Sequence, residues 1–171
     1  MKLLFKLFFD ICLLRAKPQD VPASNTLLLL TMLVVIVTGV PAIIGSVGGL
    51  APALMIGLMD VALILVLLRV FLTLAGLSPR LLQTATAMFG SGVIINLLSI
   101  PVQVLLDTST GYSVAQFVGA LFYFALLVWS LAIMGHILRH SFKLQLSSGV
   151  LIAMGYFMLV NTLVRLFLPT G

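Results

Sequence analysis

Asp60 is the residue whose type and position could do chemistry where chemistry is costly. It falls about eight positions into an apolar run that starts near Pro52, so a helix rising 1.5 Å per residue sets it roughly 12 Å below the near membrane boundary. An ionised carboxylate at that depth costs several kcal/mol by most scales and must face protein or water and find a partner. Arg69, nine positions on, turns to the opposite side of the same helix. Arg165, near the outer end of the last apolar run, is the expected counter-charge, with Asn96 and Asn161 as neutral alternatives. Such a centre could relay protons or ions, or bind a partner; its plainer role is a hydrogen bond between helices.

His136 and His140 are one helical turn apart and could share a face as metal ligands do. Arg139 between them and Lys143 after them disfavour a cation, and no cysteine or carboxylate lies near in sequence to complete the shell. The pair is therefore expected at a headgroup-facing rim, and neither metal nor other cofactor is expected. A lone Cys12 excludes an intrachain disulfide and paired thiolates. The chain has no glutamate and four scattered aspartates, and it shows no glycine-rich phosphate loop, serine elbow or carboxylate pair. On those grounds it is not expected to be an enzyme.

The elements that must position these residues follow from composition. Of the 171 residues 62% are hydrophobic and 8% charged, far from the soluble average of roughly 25% charged, so lipid must cover most of the apolar surface. A spanning helix needs about 20 apolar residues, and punctuation marks out five: about 26–47, 52–77, 80–106, 113–140 and 147–168. Ser24 or Asn25 should cap the first and Gly48-Gly49 end it. Pro52 suits a first helical turn, Ser78-Pro79 separates the second span from the third, and Ser113 with Gln116 has capping-box spacing for the fourth. Pro41 and Pro101 should kink or end their helices unless neighbours satisfy the freed carbonyls. The fold class is all-α, a five-helix transmembrane bundle in one membrane domain over 1–171.

Residues 1–17 form a further segment. At 100° per residue Lys2, Lys6, Asp10 and Lys17 cluster on one side, with Leu4, Phe5, Phe8, Phe9, Ile11 and Cys12 around the rest. That pattern suits an amphipathic helix lying in the interface, its lysines toward anionic headgroups. Asp10 and the lack of a small-x-small site argue against a cleaved signal. Lysine and arginine favour cytoplasmic loops. Lys2, Lys6, Arg15 and Lys17, then Arg80, then Arg139 and Lys143 fall on one side of a five-span chain, while the loops around Gly48 and Asp107 carry none. The orientation is N-terminus in, C-terminus out, and the net charge of +5 needs no nucleic-acid partner. Trp129 and Tyr123 fall inside the fourth span as packing residues, and Gly90, Gly92, Gly119, Gly135, Gly149 and Gly155 permit close helix approach.

Two stretches, Leu13-Leu14-Arg15-Ala16-Lys17-Pro18-Gln19-Asp20-Val21-Pro22 and Trp129-Ser130 through Gly135-His136-Ile137-Leu138-Arg139-His140, together with the five-span layout, resemble small bacterial proteins related to the Yip1-domain family. The resemblance implies a non-enzymatic membrane scaffold or adaptor that contacts lipids and other membrane proteins or itself, in a bacterial inner membrane. The other expectation is a small transporter or an accessory subunit of an ion-translocating complex. A dry, paired Asp60 suits the first and a water-lined one the second.

Overall fold

The computed structural model describes residues 2–107 and 114–167, and every regular element among them is a helix. Helix α1 is Lys2–Cys12, α2 Asn25–Ile43, α3 Leu50–Leu74, α4 Leu81–Asp107, α5 Val114–Phe142 and α6 Leu146–Phe167, with single 3-10 turns at Pro18–Asp20 and Ser78–Arg80. Helices α2 to α6 are each long and apolar enough to cross a membrane, so the chain is a multi-pass membrane protein built as an all-α bundle. Thr108 to Ser113, which include the expected cap Ser113, and the expected stop Pro169 lie outside the described residues, as does the Lys2 side chain.

Boundaries follow local chemistry. Ser24 caps α2, its Oγ accepting the Leu27 N–H at 3.3 Å. Pro41 is followed within two residues by the end of α2, earlier than the expected 47, as Ser46 N–H and Oγ both turn back to the Ile43 carbonyl. Pro101 sits inside α4 without ending it. The first helix stops at Cys12 and does not continue to 17: Leu14 adopts φ 61°, and the Arg15 N–H reaches back to the Asp10 carbonyl at 2.8 Å. That six-to-one bond across a left-handed residue closes a helix C-terminus. The same device ends α3 at Gly76 (φ 69°, Leu77 N–H to Leu72 O) and α5 at Lys143 (φ 58°, Leu144 N–H to Arg139 O). All three caps occur where the chain arrives at one end of the bundle, here the proximal end.

Helix α4 is the central element. It packs against α2 on one side and α5 on the other; α6 leans on α5, and α3 rests on α2 with lighter contact to α4. Glycine permits the closest approaches. A Cβ at Gly149 would fall on the Gly135 carbonyl oxygen, and one at Gly135 would lie 2.8 Å from the Val150 nitrogen, so α5 and α6 cross nearly backbone to backbone. Gly90 leaves room for the Phe8 ring of α1, whereas Gly155 faces open space. The core joins Phe89, Ala85 and Ala87 of α4 to Ile137 of α5, Leu72 of α3, and Ile11, Cys12 and Val21 of the N-terminal segment.

Candidate functional site

Asp60 lies ten residues after the start of α3, and Tyr156 eleven residues before the described end of α6, so both sit about 15 Å from the distal end at 1.5 Å per residue. Matched depth brings them together. The Tyr156 hydroxyl donates to Asp60 Oδ1, and it also lies 3.4 Å from the Asp60 backbone carbonyl. Asp60 does hold the second span to the fifth, but the partner is a phenol, not the expected Arg165. Arg165 is only two residues from the described end of α6 and is exposed, roughly 12 Å too shallow along the helix. Asn161 is exposed too, donating at 2.8 Å to its own Phe157 carbonyl.

Asn96 is a separate joint. Its Nδ2 donates to the Val35 carbonyl at 3.1 Å and approaches Thr38 Oγ1 at 3.5 Å, fastening α4 to α2 where Gly39 gives it room. Asp60 and Asn96 nevertheless border the same space. Cavities of about 220 and 240 Å³ share Asp60, Ile64, Met88, Gly92 and Asn96 as walls, and the first also reaches Ser91 and Ser130. A third cavity of about 420 Å³ between α3, α5 and α6 is apolar apart from the Tyr156 hydroxyl, and shares Ile64, Met88, Met134 and Tyr156 with the first.

A second polar cluster lies at the proximal end, where the segment after α1 threads between α4 and α5. Trp129 Nε1 donates to the Cys12 carbonyl at 2.9 Å, and His136 Nε2 is 3.0 Å from the Ala16 carbonyl. Gln83 Nε2 donates to the Gln19 and Val21 carbonyls at 2.9 and 3.1 Å. Gln19 Nε2 and Arg80 both donate to the His140 carbonyl, at 2.8 and 3.1 Å, and Arg80 also to the Ser141 carbonyl at 3.0 Å. The Cys12, His140 and Ser141 acceptors are carbonyls that a helix end leaves without intrahelical donors, and the Ala16, Gln19 and Val21 acceptors lie in the segment between α1 and α2. Thr84 and Ser141 add a buried hydroxyl pair at 2.9 Å.

This cluster revises several expectations. His136 is 5% exposed and faces the N-terminal segment, so it is not on a headgroup-facing rim. Its ring meets His140 edge-on, with centroids 4.6 Å apart, and no third His, Cys, Asp or Glu joins them among the described residues. Trp129 packs, as expected, and also bonds to α1; Tyr123 is largely exposed. Cys12 is fully buried against protein, its Sγ 3.9 Å from the Ser91 carbonyl, and burial pushes its thiol up to about 11. Lys6 and Lys17 are exposed, the Lys17 N–H being held by the Asp20 carboxylate at 2.8 Å. Leu3 and Phe5 of α1 are exposed while Ile11 and Cys12 are buried, so the apolar surface of α1 is divided between the bundle and its surroundings.

The chain matches no family model, no curated protein and no solved structure.

Proposed function

We propose that this chain is a non-enzymatic scaffold or adaptor of a bacterial inner membrane, Yip1-like in character, that acts through contacts with lipids and with other membrane proteins or a second copy of itself. The observation that supports it is the closure of Asp60 by Tyr156, which spends the one mid-span acid on joining α3 to α6. The pinning of residues 12–21 by Trp129, His136 and Gln83 points the same way, since it gives the proximal end a fixed surface for a partner. On this reading the proximal end, where Lys17, Arg80, Arg139 and Lys143 gather, is cytoplasmic, and α1 lies in the inner leaflet with Lys6 and Lys17 toward anionic lipid.

Affinity purification of the full chain in a mild detergent, with mass spectrometry of what co-purifies, tests the scaffold. Stoichiometric capture of a membrane protein that is lost on deleting residues 1–21 is the expected result; a chain that purifies alone and monomeric overturns it. Orientation is tested in a Cys12→Ser background with cysteines at the exposed positions Ser46 and Gln145, which should label from opposite sides. Labelling from the same side removes the topology.

Transport is the second reading, favoured by the two cavities that meet at Asp60. Reconstituted vesicles decide it: ion flux through the parent that disappears in Asp60→Asn favours transport over the scaffold.

A further inference from the structure

Among the described residues no cationic side chain meets the Asp60 carboxyl group. Of the four aspartates, Asp10 and Asp20 belong to the N-terminal segment and Asp107 ends α4, which leaves Asp60 alone at mid-span. Its hydrogen-bond partner Tyr156 is a neutral phenol. Among the described residues no lysine or arginine lines the two cavities that Asp60 borders or the larger one next to them; Arg69 and Arg165 are exposed, and Arg80 is committed to the end of α5.

Beside this carboxylate lies room for an apolar body. The 220 Å³ cavity that Asp60 borders adjoins one of 420 Å³, the two sharing Ile64, Met88, Met134 and Tyr156 as walls, and the larger falls in the size range of small-ligand pockets, roughly 300–1,000 Å³. Phe157 shares the first cavity with Asp60, and an aromatic ring favours a cation over an anion. Met88 and Met134 are flexible side chains that accommodate varied shapes.

We propose that these adjoining cavities are a binding site for a hydrophobic monocation, a bulky quaternary ammonium or phosphonium compound, with its charge beside Asp60 and its apolar arms against Ile64 and Met134. The carboxylate supplies the counter-charge within the membrane, and the apolar walls supply the rest of the affinity. The site goes beyond the scaffold reading and is independent of it, because its test uses added probes and purified protein.

Tetraphenylphosphonium and tetraphenylborate have the same tetraphenyl body and opposite charge. Equilibrium binding of each is measured on the full chain in nanodiscs of zwitterionic lipid, with partition into empty nanodiscs subtracted. The phosphonium should bind saturably and the borate should not. Asp60→Asn should weaken phosphonium binding by about tenfold or more, while Tyr156→Phe, which leaves the carboxylate without its donor, should keep or tighten it. Leu67→Trp, which fills the larger cavity without touching Asp60, should weaken it as well. Equal binding of the two ions overturns the proposal, as does parent-like affinity in an Asp60→Asn protein that melts normally. Should Asp60→Asn not fold, the contrast between the ions and the effect of Leu67→Trp decide: no contrast, or no effect, overturns it.

Discussion

At the proximal end, four side chains from α4 and α5 and its approach, namely Arg80, Gln83, Trp129 and His136, are turned toward backbone carbonyls, most of them where helices stop or the chain runs extended. At mid-span, Tyr156 and Asp60 meet side chain to side chain, with cavities on both sides of them. The difference is one of alternatives. Apart from the His140 carbonyl, which Gln19 and Arg80 share, each of these carbonyls has a single side-chain donor among the described residues, so losing it costs the desolvation of that group. A mid-span side-chain pair is worth less, because helices separated in a bilayer find other partners for the same groups. Packing follows the same division, with glycine-tight contact between α5 and α6 near the proximal end and lighter contact around α3.

The largest effect should come from the tight crossing. Gly149→Leu puts a side chain where the Gly135 carbonyl now lies, and since neither backbone can yield without parting the helices, the loss should be about 3 kcal/mol. The midpoint of unfolding in mixed SDS and detergent micelles measures it. Gly155→Leu, at a glycine with nothing within 4 Å, should cost far less; equal losses would remove the packing half of the comparison.

Next is Arg80, half-buried and donating to the His140 and Ser141 carbonyls. Arg80→Met keeps the stem and removes the donors, with an expected loss of about 2 kcal/mol. Arg80→Lys should fall between, because an ammonium does not reproduce the planar fork that spans two carbonyls. A Lys variant as weak as Met would mean that charge at the ends of α5 contributes nothing.

Trp129→Phe should cost about 1 kcal/mol, one hydrogen bond to the Cys12 carbonyl, and Cys12 reports it directly. The folded thiol, pushed from 9.0 to about 11 by burial, holds almost no thiolate at pH 8, so maleimide labelling of the parent should be slow and that of the variant faster. Between about 9 and 11 the unfolded chain has released this proton and the folded chain has not. The parent should therefore lose stability as pH rises through that window. Labelling that is equally slow in both proteins would show that the N-terminal segment stays seated without Trp129.

The five spans were legible because bilayer thickness fixes their length and Ser24, Gly48-Gly49, Pro52 and Ser78-Pro79 punctuate them. The proximal dock was not. Its acceptors are backbone carbonyls, which every residue carries, so nothing in the identities of Cys12, Ala16 or Val21 announces them. The resemblance did single out residues 13–22 and 129–140, which meet in the fold, without showing that they meet. Leu14 takes a left-handed conformation that glycine usually holds, which hid the end of α1, whereas α5 ends at Phe142, two residues past the expected 140, with Lys143 in the same conformation. Tyr156 is hard to read from sequence because a buried carboxylate calls first for a charge or an amide, and a phenol is neither. The signal was present: counting residues from the helix ends matches Tyr156 in depth to Asp60 and rules Arg165 out.

The smallest expected effect is at Asp60 itself, and it tests the comparison from the weak side. Hydrogen bonds between transmembrane helices average about 0.6 kcal/mol and rarely exceed about 1.7. Asp60→Asn keeps an acceptor for the Tyr156 hydroxyl and replaces the intramembrane acid by a neutral amide of the same shape, so its melting temperature in detergent should stay close to that of the parent. Asp60→Leu removes the carboxylate acceptor and leaves the hydroxyl only the long contact to the residue-60 backbone carbonyl at 3.4 Å, and should lower stability by about 1 kcal/mol. Asp60→Leu combined with Tyr156→Phe, leaving neither group, should recover most of that loss, which two independent sites would not do. If Asp60→Leu costs more than Arg80→Met, the mid-span pair holds the bundle more firmly than the proximal carbonyl network, and the account of alternatives is wrong. If it costs nothing in a bilayer, Tyr156 finds another acceptor as readily as the folded state provides one.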